Sequence, residues 1–221
     1  AGTQTAGLIF GGLNTYPGTN VLAVTELWNG SAWTEVNDLN TARSQVAASG
    51  SSTAAFASAG ATPPGTAVAN VESWNGSSWT ETTDVNTARR FLGGSGTSTS
   101  TLIFGGAHPN KTETESWDGS SWTEVADLAS ARYGLGSGGT NNTSAIAFGG
   151  NTGSNVASTE EWSFSGVQPG DEASYSDAIV GDFYYNSTTG EFKTVNDGGA
   201  PIGTWASGGD LNEGRESAGT S

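Results

Sequence analysis

Four arginines recur in a repeated setting, Arg43, Arg89, Arg132 and Arg215, each ten residues after a tryptophan, and they are four of only seven basic residues in the chain. A ring of guanidinium groups could grip an anionic ligand, because the planar fork binds a carboxylate or phosphate through two parallel hydrogen bonds. The same setting also carries acids. Glu26, Glu72, Glu115 and Glu160 each lie two residues before a tryptophan, and Asp38, Asp84, Asp127 and Asp210 each lie five before an arginine. Cations and anions that recur together predict ion pairs or turn bonds that lock repeating units. Tryptophan is the third recurring type, as Trp28 and Trp33, Trp74 and Trp79, Trp117 and Trp122, and Trp162 and Trp205. An exposed indole pair could stack on a sugar ring, whereas a pair repeated in every unit predicts a core between packed units.

The residues that escape the repeat fall in four connections, 14–20, 61–66, 108–112 and 151–154. Variable connections are where a repeat scaffold usually carries recognition, so Tyr16, His108 and Lys111 are the candidate ligand-binding residues, with Pro63 and Pro64 beside them. His108 is the single histidine and has no nearby Ser/Asp pair, which leaves no catalytic triad to assemble. There is no cysteine, so disulfides, thiolate metal sites and a cysteine nucleophile are excluded. Asp171, Glu172, Asp177 and Asp182 offer oxygen ligands for calcium without EF-hand spacing. Glu160–Glu161 and Asp171–Glu172 read as exposed charges at strand ends and loops. The expectation is a chain with no catalytic residue, no metal and no cofactor.

What must position these residues is a unit of about 45 residues, since Trp28, Trp74, Trp117 and Trp162 follow one another at 46, 43 and 45. After each arginine comes a run of small residues and then a short apolar stretch closed by small residues: Leu8-Ile9-Phe10-Gly11-Gly12, Leu102-Ile103-Phe104-Gly105-Gly106 and Ala145-Ile146-Ala147-Phe148-Gly149-Gly150. The second unit carries a degenerate copy ending Ala59-Gly60. Asn29-Gly30, Asn75-Gly76 and Asp118-Gly119 separate aromatic stretches and predict tight hairpins. In the second unit the strands are expected near 45–50, 53–58, 68–74 and 78–82. No stretch of ten residues has a helical apolar period. Four short antiparallel strands per unit is the content of a propeller blade.

Composition agrees with that reading. Apolar residues are 34% and charged residues 13%, while glycine alone contributes 34 residues. Such polarity would suggest disorder, but eight Trp, eight Phe and five Tyr at regular spacing supply a core. A net charge of −15 excludes a basic nucleic-acid surface and attraction to anionic membranes, and no apolar run is long enough for membrane insertion.

The succession of Arg, apolar strand, Gly-Gly, a later aromatic and then Trp resembles the kelch repeat, over residues 1–162 and 205–221. Trp28, Trp74, Trp117 and Trp162 stand where that pattern more often has Tyr. The wording Ser-Ser-Trp-Thr-Glu, Asp-Leu-Asn-Thr-Ala-Arg and Gly-Thr-Gln-Thr-Ala-Gly-Leu-Ile-Phe-Gly-Gly is similar to low-complexity kelch-like virion and tail-fibre proteins of marine bacteriophages, cyanophages in particular. The resemblance implies an all-β, kelch-like β-propeller of four blades, each of four antiparallel strands. The copper chemistry of kelch-fold oxidases needs Cys, Tyr and His, and a chain with no cysteine and one histidine cannot supply it.

The ends read as parts of one blade. Arg215 follows Trp205 by ten residues, as Arg43 follows Trp33, and joining 215–221 to 1–12 reproduces the spacing from Arg132 to Gly149. The C-terminal strand is therefore expected to close the N-terminal blade, with continuation into a second subunit as the alternative. Residues 1–162 are the kelch-like blades, 163–204 an inserted loop and β-hairpin module, and 205–221 the strands completing the last and first blades. The hairpin is expected around Phe183 to Val195, where aromatic and polar residues alternate about Asn-Ser-Thr-Thr-Gly.

The function implied is that of a non-enzymatic, extracellular module of a phage virion, in a tail fibre, spike or surface decoration. Its partners would be other virion subunits or a host-surface glycan or protein, with a homo-oligomer open and no nucleic acid. A secreted or cell-surface bacterial adhesion or filament protein of the same fold is the alternative, and a glycan-active enzyme the third.

Overall fold

Each Asn-Gly or Asp-Gly corner closes on its own side chain. Asn29 Oδ1 accepts from the amides of Ser31 at 2.9 Å and Ala32 at 3.0 Å, Asn75 does the same for Ser77 and Ser78, and Asp118 for Ser120 and Ser121. Side-chain acceptance at two successive amides fixes the turn and hence the register of the strands on either side. Trp28 therefore lies directly across from Trp33, Trp74 from Trp79 and Trp117 from Trp122. Trp162 lies across from Trp205 even though the inserted segment separates them in sequence. The paired rings are 5.3 to 5.5 Å apart between centroids.

This computed structural model describes residues 1–14, 20–107, 109–164, 183–186, 191–194, 203–209 and 211. Strands β1 (Gly2–Thr3), β2 (Ala6–Phe10), β3 (Thr25–Trp28) and β4 (Trp33–Val36) form the first sheet. The second contains β5 (Ala47–Gly50), β6 (Ala55–Ser58), β9 (Val71–Trp74) and β10 (Trp79–Thr82), and between β6 and β9 the chain forms a separate two-stranded ribbon of β7 (Ala61–Thr62) and β8 (Thr66–Ala67). The third is β11 (Gly93–Thr97), β12 (Ser100–Phe104), β13 (Thr114–Trp117) and β14 (Trp122–Val125). The fourth begins with β15 (Gly136–Asn141), β16 (Ser144–Phe148) and β17 (Thr159–Phe164). After the separate hairpin of β18 (Phe183–Asn186) and β19 (Glu191–Thr194), β20 (Gly203–Ser207) returns to complete it. All pairings are antiparallel, and no helix occurs among the described residues.

The ladder between β17 and β20 runs past the tryptophan pair to Phe164 opposite Gly203. The fourth sheet thus takes two residues from each end of the 163–204 segment, because antiparallel pairing continues for as long as both backbones stay extended. Residues 215–221, on which closure of the first sheet was expected to turn, lie outside the described residues.

Side chains alternate across each sheet, so each has two faces, and successive sheets stack through unlike faces. Leu8 and Phe10 of the first sheet meet Ala55, Ala57, Trp74 and Trp79 of the second. Phe56 and Val71 on the other side of the second meet Ile103, Trp117 and Trp122 of the third, and Leu102 and Phe104 meet Ala145, Ala147, Trp162 and Trp205 of the fourth. Every seam thus opposes an aliphatic or phenyl cluster to an indole pair. The Gly-Gly corners follow from close backbone approach. Gly105 has φ +65° and a Cβ there would stand 2.7 Å from the Arg132 carbonyl, while the amide of Gly106 donates to that same oxygen at 2.9 Å.

Candidate functional site

The repeated arginines among the described residues, Arg43, Arg89 and Arg132, are wholly buried at the seams. After β4 the chain passes from the first sheet to the second, and on that crossing the Arg43 guanidinium donates to Glu72 Oε1 on β9 at 2.9 Å. Its other terminal nitrogen donates to the carbonyls of Ala59 and Asn70. The Glu72 carboxylate is closed by three further donors of the same crossing: the Asn40 amide at 2.6 Å, Asn40 Nδ2 at 2.9 Å and the Thr41 amide at 3.2 Å. At the next seam Arg89 donates to Glu115 Oε1 at 2.7 Å and to the carbonyls of Gly105 and Glu113, and Asn86 and Thr87 complete the carboxylate's shell. At the third, Arg132 meets Glu160 at 2.7 Å together with Gly149 and Ser158. Ala129 stands there in place of asparagine and gives only its amide, at 2.8 Å.

Each clamp therefore joins the connection leaving one sheet to the carboxylate of the following sheet. Removal from water pushes the Arg43, Arg89 and Arg132 guanidinium groups below their ordinary value, and the paired carboxylates act in the opposite direction. The side chains of all three arginines are fully inaccessible and their charges are met, so none is available to an anionic ligand. The aspartates have the separate role of closing turns within their own sheet: Asp38 Oδ1 accepts from the Thr25 amide and Asp127 Oδ1 from the Thr114 amide, each at 3.3 Å.

Glu160 departs from its expected place at an exposed strand end. It lies within β17 and is only 6% exposed, because the repeat assigns it the clamp position, while its neighbour Glu161 points to the opposite, exposed face. Of the loop candidates, Lys111 pairs with Glu113 at 2.8 Å beside the third sheet. Tyr16 and His108 lie outside the described residues, as do Arg215, Asp210 and the Asp171–Asp182 group. Seven of the eight tryptophans are partly or fully buried, and Trp33, 47% exposed, is the exception.

The first strands of the four sheets surround a common opening of about 730 Å³. Its wall is glycine backbone and hydroxyl groups, including Ser49, Ser95, Thr97 and Thr140, with Gln4, Ile9 and Trp33 at the first-sheet side. Among the described wall residues there is no Asp, Glu, Lys, Arg or His side chain. Such a wall can hydrogen-bond neutral polar groups. Sequence reasoning did not find this opening, whose only trace was the run of small residues after each arginine. It also missed the clamp asparagines, although Asn40 and Asn86 recur three places before an arginine.

No protein-family model matches the sequence, and no curated protein matches it. Among the solved structures that match, the "Structure of YjhT" aligns with a TM-score of 0.57 at 16% identity, over 66% of this chain and 50% of that one. The chain thus spans about half the length of that structure. At this identity the likeness is one of fold. The fold is β-propeller-like and all-β.

Proposed function

We propose that the chain is a non-enzymatic, kelch-like structural and binding module of a phage virion, in a tail fibre, spike or surface decoration, that displays its variable connections to a host surface or to another subunit. In this reading the four sheets are the blades of a four-bladed ring, completed by the C-terminal strand. The observation that carries it is how the repeated chemistry is used: the described arginines and their glutamates are buried in seams between sheets, which leaves recognition to the connections. A scaffold locked at every described seam holds loops in fixed relative positions, which lowers the entropy lost on binding. The sequence's resemblance to marine phage repeat proteins supplies the setting, and the strong net negative charge suits a solvent-facing surface.

The test is adsorption. Purified 221-residue chain, fluorescently labelled, is added to a panel of marine cyanobacteria and other bacteria, alongside a version with the 14–20 and 108–112 connections replaced by Gly/Ser. Saturable binding to particular strains that the replacement abolishes is the expected result. Hydrolysis of host polysaccharides by the same preparation, lost with those connections, would overturn the non-enzymatic reading.

A further inference from the structure

The repeat breaks at one step. Directly after the buried clamp arginines the chain reads Ser44-Gln45, Arg90-Phe91 and Tyr133-Gly134, three unlike pairs set between a constant arginine and a first strand of small residues. The second member of each pair is left-handed, with φ of +59° at Gln45, +56° at Phe91 and +60° at Gly134. Glycine suits that conformation and a bulky residue does not. The backbone nevertheless links all three in a row: the Phe91 amide donates to the Gln45 carbonyl at 3.0 Å, and the Gly134 amide to the Phe91 carbonyl at 2.8 Å. This row lies just before the first strands begin, whereas the hydroxyl-lined opening takes the later residues of those strands.

Three chemistries meet on the row. Arg90, unlike Arg89 beside it, is partly exposed, and no carboxylate pairs with it among the described residues. Its Nη1 donates to the Gly65 carbonyl at 2.7 Å, which anchors it against the Pro63-Pro64 connection, and its guanidinium carbon stands 5.9 Å from the centre of the Phe91 ring. The Phe91 and Tyr133 rings, both partly exposed, are 5.9 Å apart and inclined at 54°. Gln45 is also partly exposed, and its Oε1 is buried with no hydrogen-bond partner among the described residues. An unpaired amide serves a ligand hydroxyl from either end, since a half-turn of its last torsion exchanges donor and acceptor.

We propose that Arg90, Phe91, Tyr133 and Gln45 form a binding site for an acidic sugar, a hexuronic acid residue of a glycan. Its carboxylate sits on the open side of the Arg90 fork, the C–H face of its ring on Phe91 and Tyr133, and a ring hydroxyl on the Gln45 amide. The inference rests on the display reading above and names the ligand class for it. The combination selects the ligand. A bare anion leaves both aromatic rings unused, a neutral sugar leaves the cation unused, and an acidic peptide side chain has no flat hydroxylated face for the rings and the amide. The chain's net charge of −15 opposes any anion at a distance. Screening over about 8 Å at physiological salt confines that repulsion to short range, where Arg90 is the contact charge.

Titration calorimetry on the intact 221-residue chain tests the site with a galacturonic acid trimer, its full methyl ester and maltotriose. The acid trimer is expected to bind saturably, and the two neutral trimers at least about tenfold more weakly. Arg90→Gln is expected to weaken the acid trimer by about tenfold and to erase its preference over the ester. Phe91→Gly copies the residue at Gly134 and relieves the left-handed conformation; it is expected to weaken binding by at least about fivefold without lowering the melting temperature. Equal binding of acid and ester, no saturable binding up to about 10 mM, or an Arg90→Gln chain that binds like the parent would each overturn the proposal. So would an acetylated Glu-Gly peptide that displaces the trimer with equal affinity, because it would assign the face to protein. The ester comparison needs no variant, so it decides even where a variant melts early. Adsorption to cells without binding of the acid trimer would leave the display reading standing and remove this site, and trimer binding without adsorption would do the reverse.

Discussion

The seam between the second and third sheets and the outer face of the first are built from the same sequence positions and differ in what covers them. At the seam, Ile103, Trp117 and Trp122 pack against Phe56 and Val71, and Glu115 is enclosed by Arg89, Asn86 and Thr87. On the first sheet, Ile9 and Trp33 are about half exposed, and among the described residues no such donors enclose Glu26, which is only partly buried. Strand register, turn chemistry and the indole pair persist in both. An individual sheet therefore forms from local pairing, while the clamp belongs to the junction between consecutive sheets.

The largest expected effect breaks a clamp at a closed seam. Arg89→Ala leaves Glu115 buried without its cation, and loss of one partner from a buried pair costs about 3–5 kcal/mol. Denaturant unfolding measures it, and a cost below about 1 kcal/mol would mean that the seam does not depend on the clamp. Next comes the contrast of indoles. Trp79→Ala at the first seam removes a side chain that is 5% exposed and is expected to cost about 3–5 kcal/mol. Trp33→Ala at the open face is expected to cost no more than about half of that, in proportion to its remaining burial. Equal costs would show that the first sheet's face is as covered in solution as the others.

A smaller effect tests the clamp asparagines. Asn86 supplies Glu115 with an amide and a side-chain donor and also bonds the Trp122 carbonyl, whereas the third seam manages with Ala129. Asn86→Ala keeps the backbone donor and is expected to cost about 1.5–3 kcal/mol by the same unfolding assay, the range for a lost hydrogen bond to a charged group. The smallest effect concerns the turns. Amides of Ser121 and Ser120 hold the Asp118 carboxyl below its usual value. A depressed folded-state value contributes stability that is present above the unfolded-state value and is lost as pH falls through the folded one. Asp118→Asn, which copies the residue at the corresponding Asn29 and Asn75 corners, is expected to leave melting at pH 7 nearly unchanged. Below about pH 4 it should melt above the parent chain, and thermal scans across pH 2–7 check both statements.

Much of this architecture was legible in the sequence because it depends on local chemistry. Asn-Gly and Asp-Gly corners fixed the outer hairpins, and the expected 45–50, 53–58, 68–74 and 78–82 contain the observed β5, β6, β9 and β10. The alternation around Phe183 placed the β18–β19 pair, with Tyr185 opposite Phe192. The destination of each glutamate was less legible. Spacing relates Arg89 equally well to Glu72 and to Glu115, and only the stacking of sheets selects the following one. Glu160 looked like an exposed charge beside Glu161 because two adjacent acids in a strand point to opposite faces, and sequence alone does not say which face is covered. The neutral opening was hidden for a related reason: serine, threonine and glycine become a wall only when four sheets bring their first strands together.

A double-mutant cycle at Arg89 and Glu115 tests the clamp most directly, with Arg89→Met, Glu115→Gln and the pair together compared by denaturant unfolding. If the seam is held as described, each single change is strongly destabilising and the double costs well under their sum, leaving a coupling of at least about 2 kcal/mol. Additive costs, with coupling below about 0.5 kcal/mol, would contradict the claim that an arginine from one crossing and a glutamate from the next sheet act as a single lock.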